Sequence, residues 1–254
     1  MSAPTIASVA TPAEVLEQFD VVLRWAKAAP SRVGYFAAMH RRVTSALIAA
    51  IDEGVFDDGP RMERMIVEFG TRYFHALGRW SGGGTAPASW KVAFDSTNQS
   101  RLIVLEHLLI GMNAHIRFDL PVTTATVVPR GKLASFRQDF EKVNEVLDKL
   151  VDRDRLGVDH VSPMIRHIDV LGRRTDDIIN VALAGAREQA WDVAGRLASL
   201  RGKDRTAMMD ALDESVAREG RSVVRPDCLM AAVSTFVVYP AEVHDVAAVI
   251  RALE

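Results

Sequence analysis

Helical spacing of apolar residues extends through most of this chain and constrains its fold more than any other feature. One apolar stripe with this spacing consists of Phe36, Met39, Val43 and Leu47. A second consists of Met62, Ile66, Phe69, Tyr73 and Leu77. Because residues three and four apart lie on one face of a helix, each stripe predicts a helix with one buried side. The pattern predicts an all-α fold, a single-domain multi-helix bundle of about eight to nine helices with an inter-helix cavity, over residues 1–254.

Two interruptions of the helical pattern predict loops beside this core. Gly82, Gly83 and Gly84 follow one another, and glycine clusters mark flexible connections, so we expect a loop near 81–87. Pro121 predicts the end of a helix that begins near residue 88. The run 122–128 has a strand-like composition but no evident pairing partner, which predicts an extended loop near 121–131.

Composition excludes several classes of protein. The chain has 31 Lys and Arg against 33 Asp and Glu, a formal net charge of −2, which argues against a nucleic-acid partner. Its single cysteine, Cys228, excludes an internal disulfide and a cysteine-rich metal site. The most apolar run, 102–112, contains Glu106 and His107 and falls short of the about 20 apolar residues that a membrane span needs. Residues 1–11 lack the pattern of a secretory signal, so we expect a cytoplasmic protein whose oligomeric state the sequence leaves open.

The segment 107–121 carries the most unusual polar residues. On a regular helix His107, His115 and Asp119 fall within an arc of about 120°. His115 and Asp119 are four residues apart, so both could reach one ion or one substrate. Imidazole and carboxylate are ordinary ligands of zinc and iron, and we therefore predict these three residues as ligands of a divalent metal (Zn, Fe or Mg). A hydrogen-bonded pair inside the core is the other interpretation of the same spacing.

Further polar residues could complete a site around His115. We predict His115 as an acid/base group and Asn113, on the same helix, as a residue that orients water or substrate. Asp139 and Asn144 flank the inner face of a helix over about 132–151 and could point into a cavity beside His115. We predict Asp139 as catalytic and Asn144 as substrate-binding, with interhelical hydrogen bonding as the alternative. His40 neighbours the buried face of its own helix.

A second constellation lies further along the chain. Asp176, Asp177 and Asn180 have the D-D-x-x-N spacing, and acidic oxygens one turn apart suit Mg²⁺. Arg187 could hold an anion beside them. The spacing is similar to the magnesium motif of class I terpene cyclases and prenyl synthases, which implies substrate-binding roles for all four residues. A helix N-cap with an acidic first turn is the alternative interpretation.

Three sequence blocks resemble an uncharacterised bacterial family of all-helical proteins. They are 108–116 (LLIGMNAHI) followed by 119–121 (DLP), 69–77 and 90–94. The resemblance implies an all-α fold and a special role for the first block, and it implies no particular reaction. His115-x-x-x-Asp119 is also similar to the helix-borne His-x-x-x-Asp pair of zinc-dependent phospholipase C and P1-type nucleases, which implies zinc.

Together these patterns predict a metal-assisted, hydrolase-like enzyme. Its substrate would be a small, largely apolar molecule in a cavity between helices. Two alternatives stay open. One is a terpene- or polyketide-type cyclase or lyase that uses Asp176, Asp177 and Asn180 with Mg²⁺, and the other is a non-catalytic helical binding protein.

Overall fold

Helices make up most of this computed structural model, which describes residues 3–154, 158–162, 169–170, 173–224 and 238–254. The helices are α1 (Pro12–Ala28), α2 (Val33–Asp52), α3 (Gly59–Ser81), α4 (Ala88–Ser96), α5 (Val104–Ala114), α6 (Leu120–Val127), α7 (Arg137–Asp154), α8 (Val158–Val161), α9 (Thr175–Ser199), α10 (Gly202–Val224) and α11 (Val246–Leu253). A π-turn, His115–Asp119, joins α5 to α6, and 3₁₀ turns cover Leu133–Phe136 and Tyr239–Ala241. Strands β1 (Asp169–Val170) and β2 (Arg173–Arg174) form a short antiparallel ladder. The prediction of an all-α, single-domain fold is confirmed.

The first helices begin where local sequence signals place them. Thr11 accepts a hydrogen bond from the backbone N–H of Glu14 at the start of α1, and Pro12 occupies the first turn. Asp58 does the same for α3, accepting from the N–H of Arg61 at 2.9 Å. These caps satisfy N–H groups that have no partner inside the helix, and they fix the ends of two helices that form the centre of the core.

Close packing of α5 on α2 depends on one glycine. A Cβ atom at Gly111 would lie 2.5 Å from Cδ2 of Phe36, a distance that no real side chain tolerates. The absence of a side chain at Gly111 therefore lets α5 approach the ring on α2. His40 and His115 lie one turn further along these two helices, so the same contact brings them towards each other.

The predicted loop over 121–131 is wrong for its first part, because residues 120–127 form α6. Pro121 lies in the first turn of α6, where its missing N–H costs nothing. The β-branched run is accommodated because α6 packs between α3 and α9 and is buried on most sides. Burial of this kind overrides local propensity. The loop predicted at 81–87 is confirmed for 82–87.

Two predicted helices also differ from the structure. The helix expected to run from 88 to 119 is divided into α4 and α5 by residues 97–103, and α5 continues through the π-turn into α6. The hydroxyl of Thr97 donates to the carbonyl of Phe94 at 2.6 Å where α4 ends. The sequence pattern also predicts a helix over 162–184; of these residues, 175–184 form the start of α9, while 169–170 and 173–174 form the ladder of β1 and β2.

Candidate functional site: an apolar cavity with a histidine pair

A cavity of about 140 Å³ lies between α2, α3, the π-turn, α7 and α9; we call it the central cavity. Most of its wall is apolar, with four methionines and three phenylalanines: Met39, Met62, Met65, Met112, Phe69, Phe136 and Phe140. Its polar wall residues are His40, His115, Asn144 and Arg187. The expected inter-helix cavity is therefore present, and its wall is apolar with few polar groups.

His40 and His115 lie against each other in this wall and form what we call the histidine pair. Their ring centroids are 4.1 Å apart with an interplanar angle of 60°. Phe69 stacks on His115 at 3.7 Å and 15°, which covers one face of that ring. His40 is 4% and His115 8% exposed. The Nδ1 atom of each ring is buried and has no hydrogen-bond partner among the described residues.

Burial keeps both rings uncharged. It lowers the pKa of His40 from 6.5 to about 3. It also lowers the pKa of His115 well below 6.5, and the neighbouring His40 adds a smaller effect in the same direction. A neutral imidazole has one N–H donor and one nitrogen acceptor, so the histidine pair offers hydrogen bonds of both kinds at neutral pH. The same low pKa makes each ring a weak base.

Asp119 is engaged elsewhere. Its carboxylate accepts hydrogen bonds from Nε of Arg72 and from Nε1 of Trp90, each at 2.7 Å, and it is 1% exposed. Burial raises the pKa of Asp119 to about 6, while the charge of Arg72 and the hydrogen bond from Trp90 act to lower it. Arg72 is thus the partner of a buried carboxylate that ties the π-turn to α3 and α4.

His107 lies apart from the central cavity. Its ring is 6% exposed and contacts Tyr35, with centroids 5.8 Å apart, and neither ring nitrogen has a hydrogen-bond partner among the described residues. Burial, and then the charge of Arg32, lower its pKa to about 4. The structure therefore does not bring the three predicted metal ligands together. Within the described part of the chain, no three His, Cys, Asp or Glu side chains are placed to hold one ion.

The other two residues predicted as catalytic make hydrogen bonds that connect separate parts of the fold. Asn113 donates from Nδ2 to the carbonyl of Val216 on α10 at 2.9 Å. Asp139, which is 1% exposed, accepts from the backbone N–H groups of Asp57 and Asp58 at 2.7 and 3.1 Å, just before α3. Neither residue is part of the central cavity wall. Asn113 thus links α5 to α10, and Asp139 links α7 to the residues that precede α3.

Among the residues predicted to bind substrate, two lie in the central cavity. Asn144 is half-buried on α7, and its Oδ1 atom has no hydrogen-bond partner among the described residues. Arg187 is half-buried on α9 and already interacts with another group. The side chains of Asp176, Asp177 and Asn180 lie outside the part of the chain that the structure describes.

The site residue that sequence reasoning missed is His40. It follows Met39 and lies four residues after Phe36, so its position in the buried arc of α2 is readable from the sequence. Its pairing with His115 depends on how α2 packs against α5, and no local pattern specifies that contact.

The fold and the site define the class of protein: an all-α bundle with an apolar cavity and a histidine pair in the cavity wall. The chain belongs to a family of unknown function, DUF5995, whose model matches residues 13–226. The prediction of an uncharacterised family is thereby confirmed. No curated protein and no solved structure matches the chain. Among the described residues, no helix combines the length and apolarity that crossing a membrane requires.

Proposed function

We propose that this protein binds a small, largely apolar molecule in the central cavity and holds it by hydrogen bonds from His40 and His115. The observation that carries the proposal is the histidine pair itself: two neutral imidazoles that line a mostly apolar cavity and whose Nδ1 atoms lack a hydrogen-bond partner among the described residues. Folded proteins pair nearly all of their buried polar groups, so an exception calls for a reason. A bound ligand supplies one.

Hydrogen bonding and packing both favour an occupied cavity. A buried polar atom without a partner costs about 1–3 kcal/mol, and a ligand that pairs with it recovers part of that cost. An empty apolar cavity also forfeits dispersion contacts that a ligand of matching size restores. Asn144, whose Oδ1 atom also lacks a partner among the described residues, adds a third polar group to the same wall.

The low pKa values favour recognition over proton transfer. A general base is most effective when its pKa lies near the working pH, and burial lowers the pKa of His40 to about 3. The histidine pair is therefore better suited to hydrogen bonding than to removing a proton from water. For this reason we favour ligand binding over hydrolysis as the function of the central cavity.

Metal-assisted hydrolysis is the second candidate, and one observation favours it. Metals bind imidazole in its neutral form, and both rings of the histidine pair are neutral at pH 7, so coordination would displace no proton. Asp119 is held by Arg72 and Trp90, so a zinc or iron ion here would be bound by His40, His115 and water or substrate. The cyclase alternative, with Mg²⁺ at Asp176, Asp177 and Asn180, is tested separately by diphosphate release from prenyl diphosphates.

Toluene is the probe that tests binding, because it is small and apolar. Ligand-observed NMR of the full chain should show toluene binding with a Kd of about 0.1–1 mM. Val143 lies in the cavity wall, so Val143→Phe should fill the space and abolish binding. Glu145→Phe, which places the same side chain at an exposed position of α7, is the matched control and should retain it.

Failure of the wild-type chain to bind toluene, or equal binding by Val143→Phe, would contradict the proposal. Elemental analysis of the purified protein separates the two candidates. One zinc or iron per chain, lost in His40→Phe and His115→Phe but retained in Glu145→Phe, would favour metal-assisted hydrolysis over plain binding.

A further inference from the structure

The central cavity is specific enough to indicate the class of its ligand. We infer that it takes a neutral molecule with one aromatic ring and a hydroxyl group, a simple phenol. This inference rests on the proposed function, since it names the ligand of that same cavity.

The size of the cavity limits the ligand to about one ring. Its volume is about 140 Å³. An engineered protein cavity of about 150 Å³ lined by aliphatic and aromatic side chains binds benzene. A fused two-ring molecule or a long acyl chain would need the wall to move, whereas a substituted benzene fits the space that exists.

The wall favours an aromatic ring over an aliphatic one. Phe69, Phe136 and Phe140 line the cavity, and aromatic pairs gain from stacked and edge-to-face contacts. Four methionines line it as well, beside valine, leucine and isoleucine side chains, and thioether sulfur makes favourable contacts with aromatic rings. Methionine is also flexible, so these side chains can adjust to a flat ligand.

The polar wall residues favour a ligand with a hydroxyl group. His40, His115 and Asn144 line the cavity, and an uncharged imidazole and an amide each carry a hydrogen-bond acceptor as well as a donor. An aromatic hydrocarbon leaves these acceptors unpaired, and an ether offers them no proton. A hydroxyl group donates to one of them and can accept from an imidazole N–H in return.

Charge excludes the anionic relatives of a phenol. A carboxylate in an apolar wall needs a paired cation. Among the described wall residues the cationic side chain is that of Arg187, which already has an interaction partner. The ligand expected here is therefore neutral at pH 7, as phenol is.

Phenol and toluene have nearly the same size, so their comparison isolates the hydroxyl group. In a cavity without polar partners, phenol binds more weakly than toluene because its hydroxyl group loses its hydrogen bonds to water. In a cavity that offers hydrogen-bond partners, phenol binds more tightly than toluene. We expect phenol to bind the wild-type chain at least about fivefold more tightly than toluene, measured by ligand-observed NMR at pH 7.

Two variants locate the group that recognises the hydroxyl. His115→Phe keeps a ring that can stack on Phe69 but removes both nitrogens, and Asn144→Leu removes the amide. At least one of them should lower the ratio of the toluene Kd to the phenol Kd about fivefold or more, whatever its effect on the toluene Kd alone. Glu145→Phe should keep the wild-type preference. If His115→Phe does not fold, His40→Phe provides the same test from the other ring.

Other binding results would refute either the ligand class or the proposed function. Toluene binding tighter than phenol to the wild-type chain refutes the ligand class and the hydrogen bonds from the histidine pair, while the central cavity stands as a binding site for apolar molecules. Tighter binding of benzoate than of phenol refutes the neutral ligand. A phenol preference that survives in Asn144→Leu and in the histidine variant places its recognition outside the histidine pair and Asn144, and refutes the inference. Binding of neither phenol nor toluene refutes the proposed function itself.

Discussion

Replacing a buried neutral histidine should change how stability depends on pH, and His40 provides the clearest case. Its pKa is about 3 in the folded chain, against 6.5 as the ordinary value that applies after unfolding. Between these values the unfolded state binds a proton that the folded state does not. The contribution of a neutral His40 is therefore fully present above pH 6.5 and is lost as the pH falls towards 3.

The size of the effect follows from the same two values. At pH 5 the solution lies about 1.5 pH units below the unfolded pKa, and each unit corresponds to 1.36 kcal/mol. Lowering the pH from 7 to 5 should thus cost the wild-type chain about 2 kcal/mol through His40 alone. Other groups contribute as well, and Glu242, whose pKa burial raises to about 8, acts in the opposite direction. The comparison must therefore be between variants.

His40→Phe removes the titrating ring and keeps an aromatic side chain among Phe19, Phe36 and Phe69. Urea unfolding at pH 7 and pH 5 should show that the variant loses about 2 kcal/mol less than the wild-type chain on acidification. His75→Phe, at an exposed position of α3, is the matched control and should follow the wild-type chain. Parallel losses in the wild-type chain and in His40→Phe would refute the argument that His40 is buried and neutral.

Three further substitutions test the packing around the histidine pair. Gly111→Ala should destabilise the fold by about 1–3 kcal/mol in urea unfolding, because its Cβ would lie 2.5 Å from Phe36; unchanged stability would contradict the close approach of α5 to α2. Asp119→Leu should lower the free energy of unfolding by about 3 kcal/mol, because it leaves Arg72 without its partner. Adding Arg72→Met should recover part of that loss in a double-mutant cycle, and additive effects would contradict the pairing. Asn113→Ala should lower the free energy of unfolding by about 1 kcal/mol, and with it the thermal midpoint, because its hydrogen bond to α10 is lost. Toluene binding should stay intact; a folded variant that no longer binds toluene would place Asn113 in the site.

Much of the fold is readable from local sequence. The Thr11 and Asp58 caps and the proline that follows each mark helix starts by a mechanism that acts within a few residues. Apolar stripes then show which face of each helix is buried. Neither signal specifies which helices meet, so the all-α class is predictable and the packing that creates the central cavity is not.

The errors have physical reasons of the same kind. The run 122–128 has strand-like residues, yet α6 forms because α3 and α9 bury it on most sides and favour a helix that satisfies its own backbone. Arg72 falls on the polar side of α3, where a solvated position is typical, and only the position of Asp119 after the π-turn gives it a buried partner.

The candidate site was predictable only in part. His115 and Asn144 are identified by polar residues in apolar surroundings, which is a local signal. The grouping of His107, His115 and Asp119 assumed that neighbours on one helix share one site. In the structure each contacts a different residue, namely Tyr35 on α2, His40 on α2 and Arg72 on α3. The partner of His115 lies far away in sequence, and its identification required the packed structure.

The most direct test of the proposed function is NMR of the ring nitrogens of His40 and His115 while phenol is added at pH 7. The account predicts that both rings are neutral before addition, and that at least one accepting nitrogen shifts in saturable proportion to the phenol bound. Protonated rings at pH 7, or ring nitrogens that stay unchanged while phenol binds, would contradict it.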